Sequence, residues 1–92
     1  MSDEARRTRY DIYADILEII SRRGTCSLTR VSYGANMPVD RAKRELTFLL
    51  QRGFVKEAVA GRIKQYSITR WGVGYLETYR QMRKYLAALE EK

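Results

Sequence analysis

The sequence predicts a mainly α (α+β) domain: three helices, a two-stranded hairpin, then a long closing helix. Three observations carry this. Apolar residues recur at helical spacing in separate stretches. Two Val-, Ile- and Tyr-rich runs flank Ala60-Gly61-Arg62 between residues 54 and 68. The composition, 45% hydrophobic and 32% charged with one Pro in 92 residues, is that of a folded chain. A chain this short buries only about 60–65% of its unfolded surface, so the core is modest.

The first helix is expected over about Ala5–Arg23. Tyr10, Tyr13, Leu17 and Ile20 follow its period, Ile12, Ile16 and Ile19 widen the apolar face, and Gly24 stops it. Asp11, Asp15, Glu18 and Arg22 line the opposite side and read as a solvated face. A short second helix fits Ser27–Gly34, capped by Thr25 or Ser27, with Leu28 and Val31 inward. Gly34-Ala35-Asn36 breaks it, since Gly and Asn tolerate the left-handed backbone of a tight turn. The third helix is expected over 38–52, opening on Pro38, whose missing N–H costs nothing in a first turn. Val39, Ala42, Leu46, Leu49 and Leu50 follow the core period. Arg41, Arg44, Phe48 and Gln51 project away, flanked by Asp40 and Thr47.

Phe54–Val59 and Ile63–Ile68 read as a hairpin, which needs helices beneath it to be stable. The last helix is expected over about Arg70–Glu91, with Thr69 as N-cap. Gly72 and Gly74 each cost about 1 kcal/mol against Ala, so a firm start is expected only at Tyr75. Tyr75, Tyr79, Met82, Leu86 and Leu89 are spaced 4, 3, 4, 3, a heptad seam for a second helix. That seam fits parallel and antiparallel pairing alike. The division expected is 1–69 for the globular domain and 70–92 for a dimerisation helix.

The net charge is +7, and its placement is uneven. Residues 22–70 hold eleven Lys/Arg against three acids, whereas the rest of the chain is close to neutral. Thirteen of the eighteen cations are Arg, whose planar fork suits phosphates and guanine edges. Histidine is absent and Cys26 is the single cysteine. Zinc sites, disulfide scaffolds and His-based acid–base or Cys–His catalysis are therefore not expected. Gly72-Val73-Gly74 lacks the third glycine and the strand-to-helix setting of a dinucleotide site, and no P-loop pattern occurs. Neither enzyme activity nor a cofactor or metal is expected. No apolar run reaches a membrane span of roughly 18–20 residues, and no signal peptide opens the chain, so no membrane partner is expected and a cytoplasmic, nucleoid-associated protein is.

Two short helices across a Gly-bearing turn, followed by a hairpin, describe a winged helix-turn-helix. In that arrangement helix 38–52 enters the major groove of double-stranded DNA and the wing 54–68 lies on the backbone. Asp40, Arg41, Arg44 and Thr47 are the candidate base contacts. Arg30, Lys43, Gln51, Arg62 and Lys64 are the candidate backbone contacts, with the arm Arg6-Arg7-Arg9 a possible addition. Glu45 either braces Arg41 one turn away or accepts from a cytosine amine. Phe48 either packs under the wing or meets a thymine methyl.

The stretch Thr29-Arg30-Val31-Ser32-Tyr33-Gly34-Ala35-Asn36-Met37 resembles the T-R-hydrophobic-x-Y-x-A-N-L signature of small archaeal winged helix-turn-helix DNA-binding proteins, including the ten-kilodalton dimeric proteins of Sulfolobus. The similarity continues in Tyr10–Leu17, Leu49–Val55 and Tyr66–Gly72. The chain departs from the pattern at Glu45, where an aromatic is usual, and at Pro38, where a small polar residue is. The resemblance implies a homodimer formed by antiparallel pairing of the closing helix through Tyr75, Tyr79, Met82, Leu86 and Leu89. It implies a transcription regulator; a sequence-tolerant DNA-organising protein, or a winged helix used for protein contacts, are the alternatives.

Overall fold

The computed structural model describes residues 7–90 and measures 52 × 28 × 21 Å. The elements run α1 (Arg9–Arg23), α2 (Leu28–Gly34), α3 (Val39–Gln51), β1 (Val55–Ala60), β2 (Ile63–Ile68) and α4 (Arg70–Glu90). This is the expected order, with boundaries within a residue or two except at the start of α1. That helix begins at Arg9 because Thr8 caps it: the Thr8 hydroxyl accepts from Asp11 N–H, and the Asp11 carboxylate accepts in return from Thr8 N–H.

Ser27 caps α2, its hydroxyl accepting from Arg30 N–H at 3.3 Å. At the following turn Asn36 alone takes the left-handed conformation, at φ 55°. Gly34 stays helical, with the side chain of Ile19 where a methyl would stand. Pro38 is the N-cap of α3 rather than its first residue.

Strands β1 and β2 pair antiparallel from Val55↔Ile68 to Ala60↔Ile63, leaving a two-residue turn led by Gly61 at φ 67°. Cys26 extends this sheet by one bridge, its N–H and C=O pairing with Tyr66 at 2.9 and 2.8 Å. The wing is thereby tied to the entry of α2, which fixes its angle to α3.

The core is built from all the helices and the wing root: Ile12, Ile16, Leu17 and Ile20 of α1, Val31 of α2, Ala42, Leu46 and Leu49 of α3, Val55 of β1 and Leu76 of α4. Alpha-helix α4 is continuous from Arg70, contrary to the start expected at Tyr75. Thr69 caps it by accepting from Gly72 N–H at 3.2 Å while donating to Gly53 C=O at 2.6 Å. Gly72 is buried against the Phe54 carbonyl and Ile68, where a Cβ has no room. The glycine that weakens the helix in isolation is what lets it lie on the hairpin.

The acidic row of α1 is not a free solvated face. Tyr79 donates to the Asp11 carboxylate, Arg80 pairs with Glu18, and Arg7 pairs with Asp15. Tyr75 donates to the Tyr10 carbonyl at 2.6 Å and stacks on Tyr79 with ring centroids 6.1 Å apart. The first half of α4 is therefore part of the globular domain, and a boundary at residue 70 divides one packed unit. From Arg80 onward every described residue of α4 is exposed. No helix among the described residues is long and apolar enough to cross a membrane.

Candidate nucleic-acid interface

On α3 the buried positions are Ala42, Leu46 and Leu49, so the opposite arc is the one presented to solvent. It carries Asp40, Arg44, Thr47 and Gln51, all exposed. Lys43 and Thr47 lie on the flank nearer the wing. There they line a groove with Arg62 and Lys64 of the hairpin and with Ser27 and Thr29 of α2. Three of the predicted backbone cations are thus gathered in one concavity beside the solvent arc of α3.

The other predicted residues divide. Arg30 is exposed on α2 but does not line this groove. Arg41 is exposed, and its Nε stands 3.6 Å from the carboxylate of Glu45, one turn further along α3. This is the bracing role for Glu45, an arrangement worth about 0.3–0.5 kcal/mol on a helix surface. Arg6 lies outside the described residues. Arg7 is paired with Asp15, and Arg9 sits over the Tyr10 ring at 6.0 Å.

Phe48 is not on the solvent arc and not under the wing. Its ring stacks on Tyr13 of α1, with centroids 5.3 Å apart and planes 15° from parallel, and Arg52 covers its other face at 4.9 Å. Thymine contact by Phe48 is therefore ruled out by packing.

Sequence reasoning missed Ser27 and Thr29 as groove residues. Ser27 is legible in the sequence only as a cap, and Thr29 carries no charge; the one available signal is the place of Thr29 at the head of the T-R stretch. Glu57, an acid on the wing's inner edge, was also missed. It faces Tyr66 across the strands. Burial pushes the Tyr66 phenol up, and the Glu57 charge and hydrogen bond push it further. Burial likewise raises the Cys26 thiol, outweighing the nearby Arg23 and Arg30 charges, so Cys26 is an inert packing residue.

The predicted seam of α4 also divides. Tyr79 is turned to Asp11, while Met82 and Leu89 are exposed, Leu89 at 80%. The stripe on the outer side of α4 runs Trp71, Tyr75, Thr78, Met82, Tyr85 and Leu89, at spacings of 4, 3, 4, 3, 4; Tyr75 in it is half-buried and the other five are exposed. Trp71, 73% exposed, forms a groove with Phe54, Tyr75, Thr78 and Met82. The open stripe keeps Tyr75, Met82 and Leu89 of the predicted seam. Leu86, 39% exposed, lies at its edge.

These elements define a winged helix-turn-helix, and the family model of that description matches residues 6–90; the chain belongs to that family. Among solved structures it is similar to Sso10a-2, a DNA-binding protein of Sulfolobus solfataricus, with 28% identity over 91% of this chain and 90% of that one and a TM-score of 0.76. This bears out the resemblance to the small archaeal proteins. The same fold recurs at 15% identity in BpsR of Bordetella bronchiseptica, whose DNA binding is regulated by 6-hydroxynicotinic acid (TM-score 0.77, 94% of this chain and 62% of that one). It recurs again at 13% in Streptococcus pneumoniae FabT, solved in complex with DNA (TM-score 0.71, 92% and 64%). A comparison with curated protein sequences gives no match.

Proposed function

We propose that the chain is a homodimeric double-stranded DNA-binding protein acting as a transcriptional regulator. The observation that carries this is the groove in which Lys43 of α3 meets Arg62 and Lys64 of the wing, beside the exposed arc of Asp40, Arg44, Thr47 and Gln51. A helix presenting that arc reaches base edges in the major groove while flanking cations hold phosphates. Arg44 is the guanine-reading residue and Thr47 and Asp40 assist it. Lys43, Arg62, Lys64, Gln51 and Arg30 act on the backbone; Arg41, held by Glu45, contributes less than its exposure suggests. The DNA-bound FabT and the DNA-binding Sso10a-2 support the same reading.

Dimerisation is assigned to α4. Its open stripe is symmetric about residue 80, so antiparallel pairing sets Trp71 against Leu89, Tyr75 against Tyr85 and Thr78 against Met82. That pairs a small side chain with a larger one at the centre. The distal half of α4 carries Tyr85, Leu86 and Leu89 away from its own domain. Only an antiparallel partner brings those residues onto the groove at Trp71.

The test is selection of duplexes from a random library, followed by titration of the selected site against salt. With about six to ten phosphates neutralised by the dimer, affinity falls roughly 10³–10⁵-fold between 50 and 200 mM salt. Arg44→Ala costs about 1–3 kcal/mol at one base pair, whereas Lys64→Ala weakens all sequences alike. Equal competition by random duplex reassigns the chain to DNA organisation, and absence of duplex binding at low salt to protein contacts. A mixture of Trp71→Cys and Leu89→Cys chains cross-links between the two variants if the pairing is antiparallel. Self-cross-linking of Leu89→Cys alone refutes it.

A further inference from the structure

Tyr33 is the most exposed large hydrophobic residue in the described chain, at 89%, and no core contact accounts for it. A lone exposed apolar residue is ordinary; what sets Tyr33 apart is its place, near the end of the seven-residue α2 and at the turn into α3. Tyr33 lines a shallow depression at the α2–α3 turn with Thr29, Asn36, Pro38 and Val39. Thr29 also lines the basic groove with Lys43, Arg62 and Lys64. The two concavities therefore share a residue and form one track, from the wing, past the flank of α3, to the α2–α3 turn. The wing end of the track is cationic. The Tyr33 end carries no charged side chain and offers hydroxyl and amide donors from Thr29, Tyr33 and Asn36.

We infer that Tyr33, with Thr29 and Asn36, forms an uncharged clamp that holds a DNA phosphodiester strand at the N-terminal end of α3, opposite the wing. The inference rests on the DNA-binding reading above. The Tyr33 phenol donates to a phosphate oxygen and its ring covers the adjoining sugar. Asn36, in the left-handed conformation at φ 55°, holds the turn and lines the same depression, which puts a neutral amide beside Tyr33 and Thr29. The wing cations supply attraction and the neutral end supplies register, because a hydroxyl donor has direction where an ammonium does not.

The experiment is duplex binding by the full chain at several salt concentrations, comparing wild type, Tyr33→Phe, Tyr33→Ala and Lys64→Ala on one duplex. Loss of one hydrogen bond to a phosphate weakens Tyr33→Phe about tenfold, and Tyr33→Ala falls further. Both keep the wild-type salt slope, since no counterion is released by a neutral contact. Lys64→Ala instead lowers that slope by about 1. Thermal unfolding of both Tyr33 variants stays at the wild-type midpoint because the side chain is free. If wild type binds the duplex and Tyr33→Phe binds equally well, the clamp is refuted while the DNA reading stands. A changed slope in Tyr33→Phe also refutes it. If wild type binds no duplex, the DNA reading itself fails.

Discussion

Replacing Gly72 by Ala isolates the contact on which the whole closing helix rests. By helix propensity alone the change stabilises, since Gly inside a helix is about 1 kcal/mol worse than Ala. The packing says the reverse. A Cβ at residue 72 stands 2.6 Å from Cγ1 of Ile68 and overlaps the carbonyl oxygen of Phe54. Carbon atoms pack at about 3.5–4.0 Å, so α4 must retreat by about 1 Å or the hairpin root must yield. Yielding is resisted because the same Phe54 carbonyl accepts from Thr69 N–H at 3.1 Å and Thr69 caps α4. Overpacking of this kind costs about 1–3 kcal/mol, and disturbing the Thr69 bond adds about 1. Net of the propensity gain, Gly72→Ala is less stable by about 1–3 kcal/mol. For a domain of this size each kcal/mol lowers the midpoint by roughly 4–8 °C. Gly74 is the internal control, with open space where its Cβ would be. Gly74→Ala therefore gains about 0.5–1 kcal/mol in the monomer. Urea unfolding followed by far-ultraviolet circular dichroism, at one dilute chain concentration, gives both values. If Gly72→Ala matches or exceeds wild type, α4 does not lie on the hairpin as described.

Two further outcomes follow from the contacts of α1. Phe48→Ala removes a ring held between Tyr13 and Arg52 and lowers stability by about 2–3 kcal/mol, since the ring is half-buried and aromatic pairs add to area burial; the base preference recovered by duplex selection stays unchanged, and a shifted preference at one base pair contradicts the packing role. The α1–α4 contact responds to pH at both ends of the scale. Burial raises the Asp11 carboxyl, but hydrogen bonds from Tyr79 and Thr8 and the Arg83 charge outweigh it, leaving its pKa below the usual aspartate value. The hydrogen bond from Arg80, opposed by burial and helped by Arg22, does the same for Glu18. With folded pKa values depressed, their stabilisation is complete above the unfolded carboxylate range and disappears as pH falls below about 4. Burial, with Asp11 nearby, pushes Tyr75 and Tyr79 up to about 12. A raised folded value means that stability is complete below pH 10 and lost as pH rises toward 12. Tyrosinate absorbance should therefore show Tyr66, Tyr75 and Tyr79 titrating late among the seven tyrosines, with the Tyr75 and Tyr79 step coincident with loss of helix. Uniform titration near pH 10 excludes the Tyr79–Asp11 contact.

What the sequence disclosed was local. Caps, periodicity and the Gly61 turn placed every element, because each depends on residues a few positions apart. Apart from the Thr8 cap that starts α1 and the place of Pro38 as N-cap, the misreadings concern contacts between distant segments. The acidic row Asp11, Asp15 and Glu18 has the pattern of a solvated face, and nothing within α1 indicates that Tyr79 and Arg80, more than sixty residues away, dock on it. Gly72 looks like a helix breaker until the Phe54 carbonyl is placed beneath it. Phe48 lies near the solvent arc by angle, yet its long side chain swings toward Tyr13, and a wheel cannot show that swing. At the candidate interface, charge marked Lys43, Arg62 and Lys64. Ser27 and Thr29, which share the groove, carry no charge and had no such marker.

The pairing proposed for α4 bears on how the molecule would meet DNA. One face is fixed to the domain through Gly72, Leu76 and the Tyr79–Asp11 and Arg80–Glu18 contacts. The other carries the open stripe. If the stripe pairs two chains as proposed, the dimer geometry reaches α3 through α1 and the hairpin, on which α4 is packed. In antiparallel pairing centred at residue 80, the two Gly72 anchors lie sixteen residues apart along the paired axis, about 24 Å at 1.5 Å per residue. Successive major-groove faces are about 34 Å apart. The recognition helices meet them if each sits about 5 Å outboard of its anchor. Sliding the dimer centre by one residue changes the spacing by about 3 Å, close to one base-pair step. Under the proposed pairing, the half-site spacing recovered by duplex selection reports the α4 register. A spacing far from one helical turn means that the stripe Trp71–Leu89 pairs about another centre.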